Sequence, residues 1–81
     1  MYSVKYTPQA IKELKKMDKH TRALIIAWIE KNLVRCTNPR LHGKGLTANC
    51  SGQWRYRIGN YRIITEITDN TVTILVAHIG H

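Results

Sequence analysis

Acidic side chains are scarce in this chain. Five Asp and Glu stand against thirteen Lys and Arg in 81 residues, a formal net charge of +8 at neutral pH. Asp18, Asp69, Glu13, Glu30 and Glu66 are scattered over capping, turn and helix positions. They offer no carboxylate pair, which argues against a metal-dependent nuclease. Cysteine is nearly absent too. Cys36 and Cys50 show neither metal-ligand spacing nor a C-x-x-C motif, so zinc is not expected, and two free thiols in a reducing cytosol are. Long apolar runs are missing: the longest, residues 23–29, is seven residues and belongs to a packed helix. The N-terminus reads as a strand, not as the apolar stretch of a signal peptide. The expectation is a cytoplasmic protein with no metal, no cofactor and no membrane partner.

What is present is one small domain with a strong positive charge. Hydrophobic content of 43% in periodic segments argues for folding, and 81 residues allow one modest core. The charge implies a polyanion: RNA, DNA, the ribosome, or an acidic protein that neutralises it. A role at a membrane surface would require an amphipathic basic helix with its apolar face left unburied.

Residues 2–6 alternate apolar and polar, as a short strand does. Thr7 before Pro8 is a helix start, and Ala10, Ile11, Leu14 and Met17 follow at helical spacing with Lys12, Glu13, Lys15 and Lys16 on the wet side. Asp18 caps a second helix over residues 19–35, whose Leu24, Ile25, Trp28, Ile29 and Leu33 stripe packs on the first helix and the sheet. Residues 37–51 have no periodicity and form a long loop carrying Arg40, His42 and Lys44. Strands follow at 53–58, 61–68 and 71–79. The order β-α-α-β-β-β gives an α+β domain, an antiparallel sheet with a helical hairpin on one face.

Gly59-Asn60 between two alternating runs reads as a two-residue hairpin turn. That turn sets Ile58 opposite Tyr61, Arg57 opposite Arg62 and Tyr56 opposite Ile63. Arg55, Arg57 and Arg62 then emerge on one face, while Trp54, Tyr56, Ile58, Tyr61 and Ile63 take the other. Like charges in facing positions destabilise a sheet by about a few tenths to 1 kcal/mol. A fold gains nothing from that, but a phosphate site does. The plainer alternative is a solvated basic face. Arginine cannot serve as a ready base, and its contribution is a fixed charged fork that holds phosphate and stabilises a transition state. With RNA the nucleophile is the substrate's own 2′-OH, and no metal is needed. Glu66 shares this face by parity. Arg40, His42 and Lys44 extend it at its edge.

If Asp69-Asn70 is also a two-residue turn, Thr68 faces Thr71, Ile67 faces Val72, Thr65 faces Ile74 and Ile63 faces Val76. Arg62 then faces Ala77, and Tyr61 faces His78. His78 falls on the core margin, and His81 is the histidine directed toward the arginines, able to titrate near neutral pH.

At this point the chain resembles a RelE-type toxin of the RelE/ParE superfamily, the toxin half of bacterial toxin–antitoxin pairs. The resemblance covers essentially the whole chain. It rests on the opening strand and helical hairpin, Asn38-Pro39-Arg40 through Gly43-Lys44-Gly45-Leu46, Gly52-Gln53-Trp54-Arg55-Tyr56-Arg57, Gly59-Asn60-Tyr61-Arg62 and Val76-Ala77-His78-Ile79-Gly80-His81. It implies a ribosome-dependent endoribonuclease that cleaves mRNA in the ribosomal A site through 2′-OH attack, without a metal. Arg62 would brace the phosphate, Arg55 and Arg57 would orient the message, and His81 joins them as a candidate catalytic group. Lys44 and Arg40 would contact ribosomal RNA. A cognate antitoxin would wrap the toxin and cover this face or displace its C-terminal element.

Relatives usually continue past the glycine-plus-basic step with a tail carrying an arginine and often a tyrosine. The resemblance therefore implies one domain, residues 1–81, lacking that tail, which folds but cleaves poorly or not at all. Two other readings remain open. One is a ParE-type inhibitor of DNA gyrase, and the other is a non-catalytic module that binds RNA or the ribosome. The module should tolerate Arg62→Lys, bind with steep salt dependence and expose aromatic rings for stacking.

Overall fold

The computed structural model describes residues 1–45 and 52–81. The elements are β1 (Ser3–Tyr6), α1 (Pro8–Lys16), α2 (Lys19–Asn32), β2 (Lys44–Gly45), β3 (Gln53–Ile58), β4 (Tyr61–Thr68) and β5 (Thr73–Gly80). The α+β architecture is as expected. The sheet is mixed, however, and not wholly antiparallel. Its order is β1-β5-β4-β3-β2, with β1 parallel to β5 and every other pair antiparallel. Two helices and three strands separate β1 from β5, so no tight turn dictates their relative direction. The pair Lys44–Gly45 adds β2 to the edge of a region expected to be loop throughout. The rest of that loop, residues 46–51 with Cys50, lies outside the described residues; Cys36 is a free thiol.

Both helix starts follow the expected chemistry. The Thr7 hydroxyl accepts the Ala10 N–H at 3.1 Å and donates to the Ala77 carbonyl at 2.7 Å, so one side chain caps α1 and straps it to β5. Asp18 accepts the Thr21 N–H at 3.0 Å and the Thr21 hydroxyl at 2.6 Å. The second helix stops at Asn32, three residues before the expected Arg35. There Arg35 adopts φ 62° and donates its N–H to the Tyr2 carbonyl at 2.9 Å, while the Tyr2 N–H reaches the Cys36 carbonyl at 2.9 Å. Docking on β1 ends the helix.

Ala10 and Leu14 of α1 and Ile25, Ile29 and Leu33 along α2 meet Tyr56, Ile63, Ile74, Val76 and Ile79 in the core. Each such fully buried aliphatic side chain contributes roughly 1.5–3 kcal/mol of transfer free energy. Leu24 was expected in this stripe, yet it is 54% exposed. The buried line on α2 runs at steps of four from Ile25, and Leu24 lies about 100° to one side of it.

The β3–β4 register is as expected: Ile58 pairs Tyr61, Arg57 pairs Arg62 and Tyr56 pairs Ile63, with Gly59 at φ 57° in the turn. The β4–β5 register is not. Asp69–Thr71 form a 3-10 turn closed by Val72 at φ 52°, ψ 49°, so Thr68 faces Thr73 and Ile67 faces Ile74. Thr65 faces Val76 and Ile64 faces His78, which leaves Ala77 as the extra residue of a bulge. In consequence Ile63 faces Ile79, and Arg62 faces Gly80 instead of Ala77. The longer turn and the bulge together overturn each pairing expected across this ladder.

Candidate nucleic-acid interface

Residues directly opposite one another in a sheet share a face. On the face opposite Tyr56 and Ile63, one row crosses the sheet as Lys44, Arg55, Ile64 and His78. The next row is Arg57, Arg62 and Gly80. The three expected arginines are therefore gathered on one face, with Lys44 beside Arg55. Among the described residues, none of these four cations has a carboxylate oxygen within 4.0 Å; the ion pairs are Arg40–Asp69 and His78–Glu13. The Arg57 Nε–H makes only a long contact, 3.4 Å, to the Gly59 carbonyl. These forks stay available to an anion.

Lys44 owes its position to the chain before it. The Trp54 indole N–H donates to the His42 carbonyl at 2.6 Å, and the buried Tyr56 hydroxyl donates to the Pro39 carbonyl. Burial pushes the Tyr56 phenol far above its ordinary pKa, so it remains a donor. Gly43, at φ 80°, passes so close to β3 that a Cβ there would collide with the Arg55 carbonyl oxygen. Only glycine fits both the conformation and the approach.

Arg40 departs from expectation. Its guanidinium pairs with Asp69 at 3.1 and 3.2 Å and stands 6.0 Å from the centre of the Trp54 ring. The Tyr2 hydroxyl donates to the same carboxylate at 2.6 Å. The Arg40 fork, and then the Tyr2 hydroxyl, hold the Asp69 carboxyl below its usual range. Arg40 braces the loop to the β4–β5 turn, its charge neutralised away from the arginine rows.

The histidines exchange places relative to expectation. His81 packs edge-on against Tyr61, ring centres 5.2 Å apart, on the side where Tyr61 meets the core margin. His78, through the bulge, is the one on the arginine face, with an exposed side chain 3.8 Å from Glu13 Oε1. Glu13 also accepts the Ile79 N–H at 2.9 Å, which β1 leaves free because its pairing stops at Val76. Sequence reasoning placed Glu13 among solvated residues. No local signal marks a bulge or a strand edge that outruns its neighbour.

Where the chain enters β2, an open cleft of about 410 Å³ lies against β3, lined by Trp28, His42, Gly43, Lys44, Arg55 and Arg57. Trp28, expected to be core, is half-buried. Its ring packs on Tyr56 at 5.5 Å and meets His42 edge-on at 5.8 Å. Among the described residues no three His, Cys, Asp or Glu side chains converge as a metal site would require. No helix of the described chain is long and apolar enough to cross a membrane.

Residues 4–81 match the family described as the ParE toxin of the type II toxin–antitoxin system parDE. Toxin RelG of Mycobacterium tuberculosis is 28% identical over 80 residues, 99% of this chain and 90% of the relative. The toxin–antitoxin complex RelBE2 of the same organism contains a chain that superposes with a TM-score of 0.85 at 28% identity, covering 99% of this chain and 90% of that one. The isolated E. coli RelE toxin shares the fold, with a TM-score of 0.78 at 19% identity over 99% of this chain and 83% of that one. A sheet carrying its arginines on one face, beneath a helical hairpin, is thus found where the family match spans nearly the whole sequence: the chain belongs to the ParE toxin family of type II toxin–antitoxin systems, within the RelE/ParE superfamily.

Proposed function

We propose that this toxin is an mRNA interferase, a ribosome-dependent endoribonuclease that cleaves the message in the A site. The observation that carries this reading is the facing pair Arg57 and Arg62, with Arg55 and Lys44 beside it and no carboxylate at hand among the described residues. Facing arginines oppose folding slightly and favour a bound phosphate strongly. Arg62 braces the scissile phosphate, and Arg55 and Arg57 orient the message. The ribose 2′-OH gives up its proton and attacks the adjacent phosphorus. The bond to the 5′-oxygen breaks, that oxygen takes a proton to leave as a hydroxyl, and a 2′,3′-cyclic phosphate remains. The arginine forks stabilise the negative charge that builds on the phosphoryl oxygens, and each such donor is worth roughly 10²–10³ in rate. No cofactor takes part. Lys44 binds RNA at the edge of this face, and Arg40, held by Asp69, acts on the loop that carries Lys44. His81 lies against Tyr61, outside the phosphate-holding set.

Solved relatives include toxins in complex with their antitoxins. That supports a cognate antitoxin as the partner that neutralises the +8 charge by covering this face, in the cytoplasm where ribosomes are. The test is primer extension on mRNA held in programmed ribosomes with an empty A site, using this chain alone and with a C-terminal extension carrying an arginine and a tyrosine. Ribosome-dependent cuts within the A-site codon are expected. No cuts from either version, with supercoiling by DNA gyrase inhibited instead, would replace the ribonuclease with the gyrase inhibitor.

A further inference from the structure

The cleft beside β3 joins two chemistries that one nucleotide needs together. Trp28 and His42 supply rings meeting at 70°, an angled aromatic corner. Lys44, Arg55 and Arg57 line the same space. Its volume of about 410 Å³ falls in the range of small-ligand sites, roughly 300–1,000 Å³. The corner is held in place before any ligand arrives: Trp28 packs on buried Tyr56, and the backbone of His42 is fixed by the Trp54 indole N–H. Little ordering remains to oppose binding. Aromatic rings beside basic forks are how single-stranded nucleic acid is held, each base stacking through its π face while cations follow the backbone.

We propose that this cleft is a nucleobase subsite, in which the Trp28–His42 corner takes one base of the message while Lys44, Arg55 and Arg57 hold its flanking phosphate. The subsite rests on the reading that the arginine face receives RNA. It extends that face around the β3 edge and fixes where the neighbouring base goes, so that the phosphate reaches the Arg57–Arg62 pair from one side. Because every base offers a π face, the subsite selects for an unpaired base and discriminates little between base identities.

The test is fluorescence anisotropy of the chain with short single-stranded RNA, intact or with an abasic nucleotide placed at each position in turn. Intact RNA should bind about 5- to 150-fold tighter than the weakest abasic version, the span expected for one stacked base. His42→Ala, which removes an exposed ring and keeps the carbonyl that Trp54 needs, should shrink that gap, and Trp28→Leu should abolish it. Arg57→Ala should weaken both RNAs by the same factor and leave the gap intact. Equal affinity for intact and abasic RNA overturns the subsite, as does a gap untouched by His42→Ala. An abasic nucleotide in the A-site codon of a programmed ribosome should reproduce the loss; if none of its positions does, the base does not belong to the message. Equal affinity with A-site cleavage retained removes the subsite alone. Base-dependent binding without cleavage removes the nuclease and keeps the subsite.

Discussion

Val72 is a β-branched residue in the left-handed region, at φ 52°, and its N–H closes the turn on the Asp69 carbonyl at 3.1 Å. Left-handed backbone costs an ordinary L-residue about 1–2 kcal/mol, whereas asparagine tolerates it. Val72→Asn should therefore raise the melting temperature by several degrees, about 4–8 °C per kcal/mol for a domain of this size. A lower melting temperature would mean that the half-buried Val72 side chain contributes more by packing than its backbone loses. Two carboxyls set the response to acid. The Thr21 hydroxyl and N–H lower the pKa of Asp18, and the Arg40 fork and Tyr2 hydroxyl lower that of Asp69. A carboxyl lowered in the folded state stabilises fully above its unfolded value, about 3.9, and that stabilisation is lost as pH falls through the folded value. Denaturant melts carried from about pH 5 downward should lose stability, and Asp69→Asn should show a shallower decline. Identical slopes for the two proteins would mean that the Arg40 pair is not formed in solution.

At the scale of elements, Gly43 is the position where a single methyl group matters most. A Cβ there collides with the Arg55 carbonyl, and φ 80° is strained for any other residue. Gly43→Ala should destabilise the domain by about 1 kcal/mol or more and weaken RNA binding further by detaching Lys44 from β3. Gly59→Asn, with open space around its Cβ and φ 57°, should leave both nearly unchanged. Parallel melts of the two variants check this, and equal losses would contradict it. The difference between these glycines also explains what could be foreseen. The β3–β4 hairpin is local: two turn residues and alternation fix which side chains share a face, so Arg55, Arg57 and Arg62 were legible together. The β4–β5 ladder depends on Val72 accepting a left-handed conformation and on Ala77 bulging, and neither follows from residue type. His78 and His81 were therefore assigned to each other's faces. Lys44 found its strand, Arg40 its carboxylate and Glu13 its backbone donor through contacts distant in sequence, which periodicity does not encode.

Across the whole molecule, charge and fold serve different ends. The helical hairpin and the inner sheet face supply the core, and the +8 charge is left over for a partner. If Lys44, Arg55, Arg57 and Arg62 each neutralise one phosphate, the logarithm of the RNA-binding constant should fall with the logarithm of salt at a slope of about −3, roughly −0.7 for each contact on a single strand. Replacing any one of the four by alanine should flatten the slope by about 0.7, whereas Arg40→Ala should leave it unchanged, because Asp69 already neutralises that charge. Retention and transition-state stabilisation nevertheless differ, since a binding module needs the charge of Arg62 alone and a nuclease needs its fork. The decisive experiment is single-turnover cleavage of an A-site codon on saturated programmed ribosomes, comparing the active chain with Arg62→Ala and Arg62→Lys. A ribonuclease built on the facing arginines should lose about 10²–10³ in rate with alanine and recover little of it with lysine, while ribosome binding changes far less. Cleavage at an unchanged rate in Arg62→Ala would contradict the phosphate site on which the proposed mechanism stands.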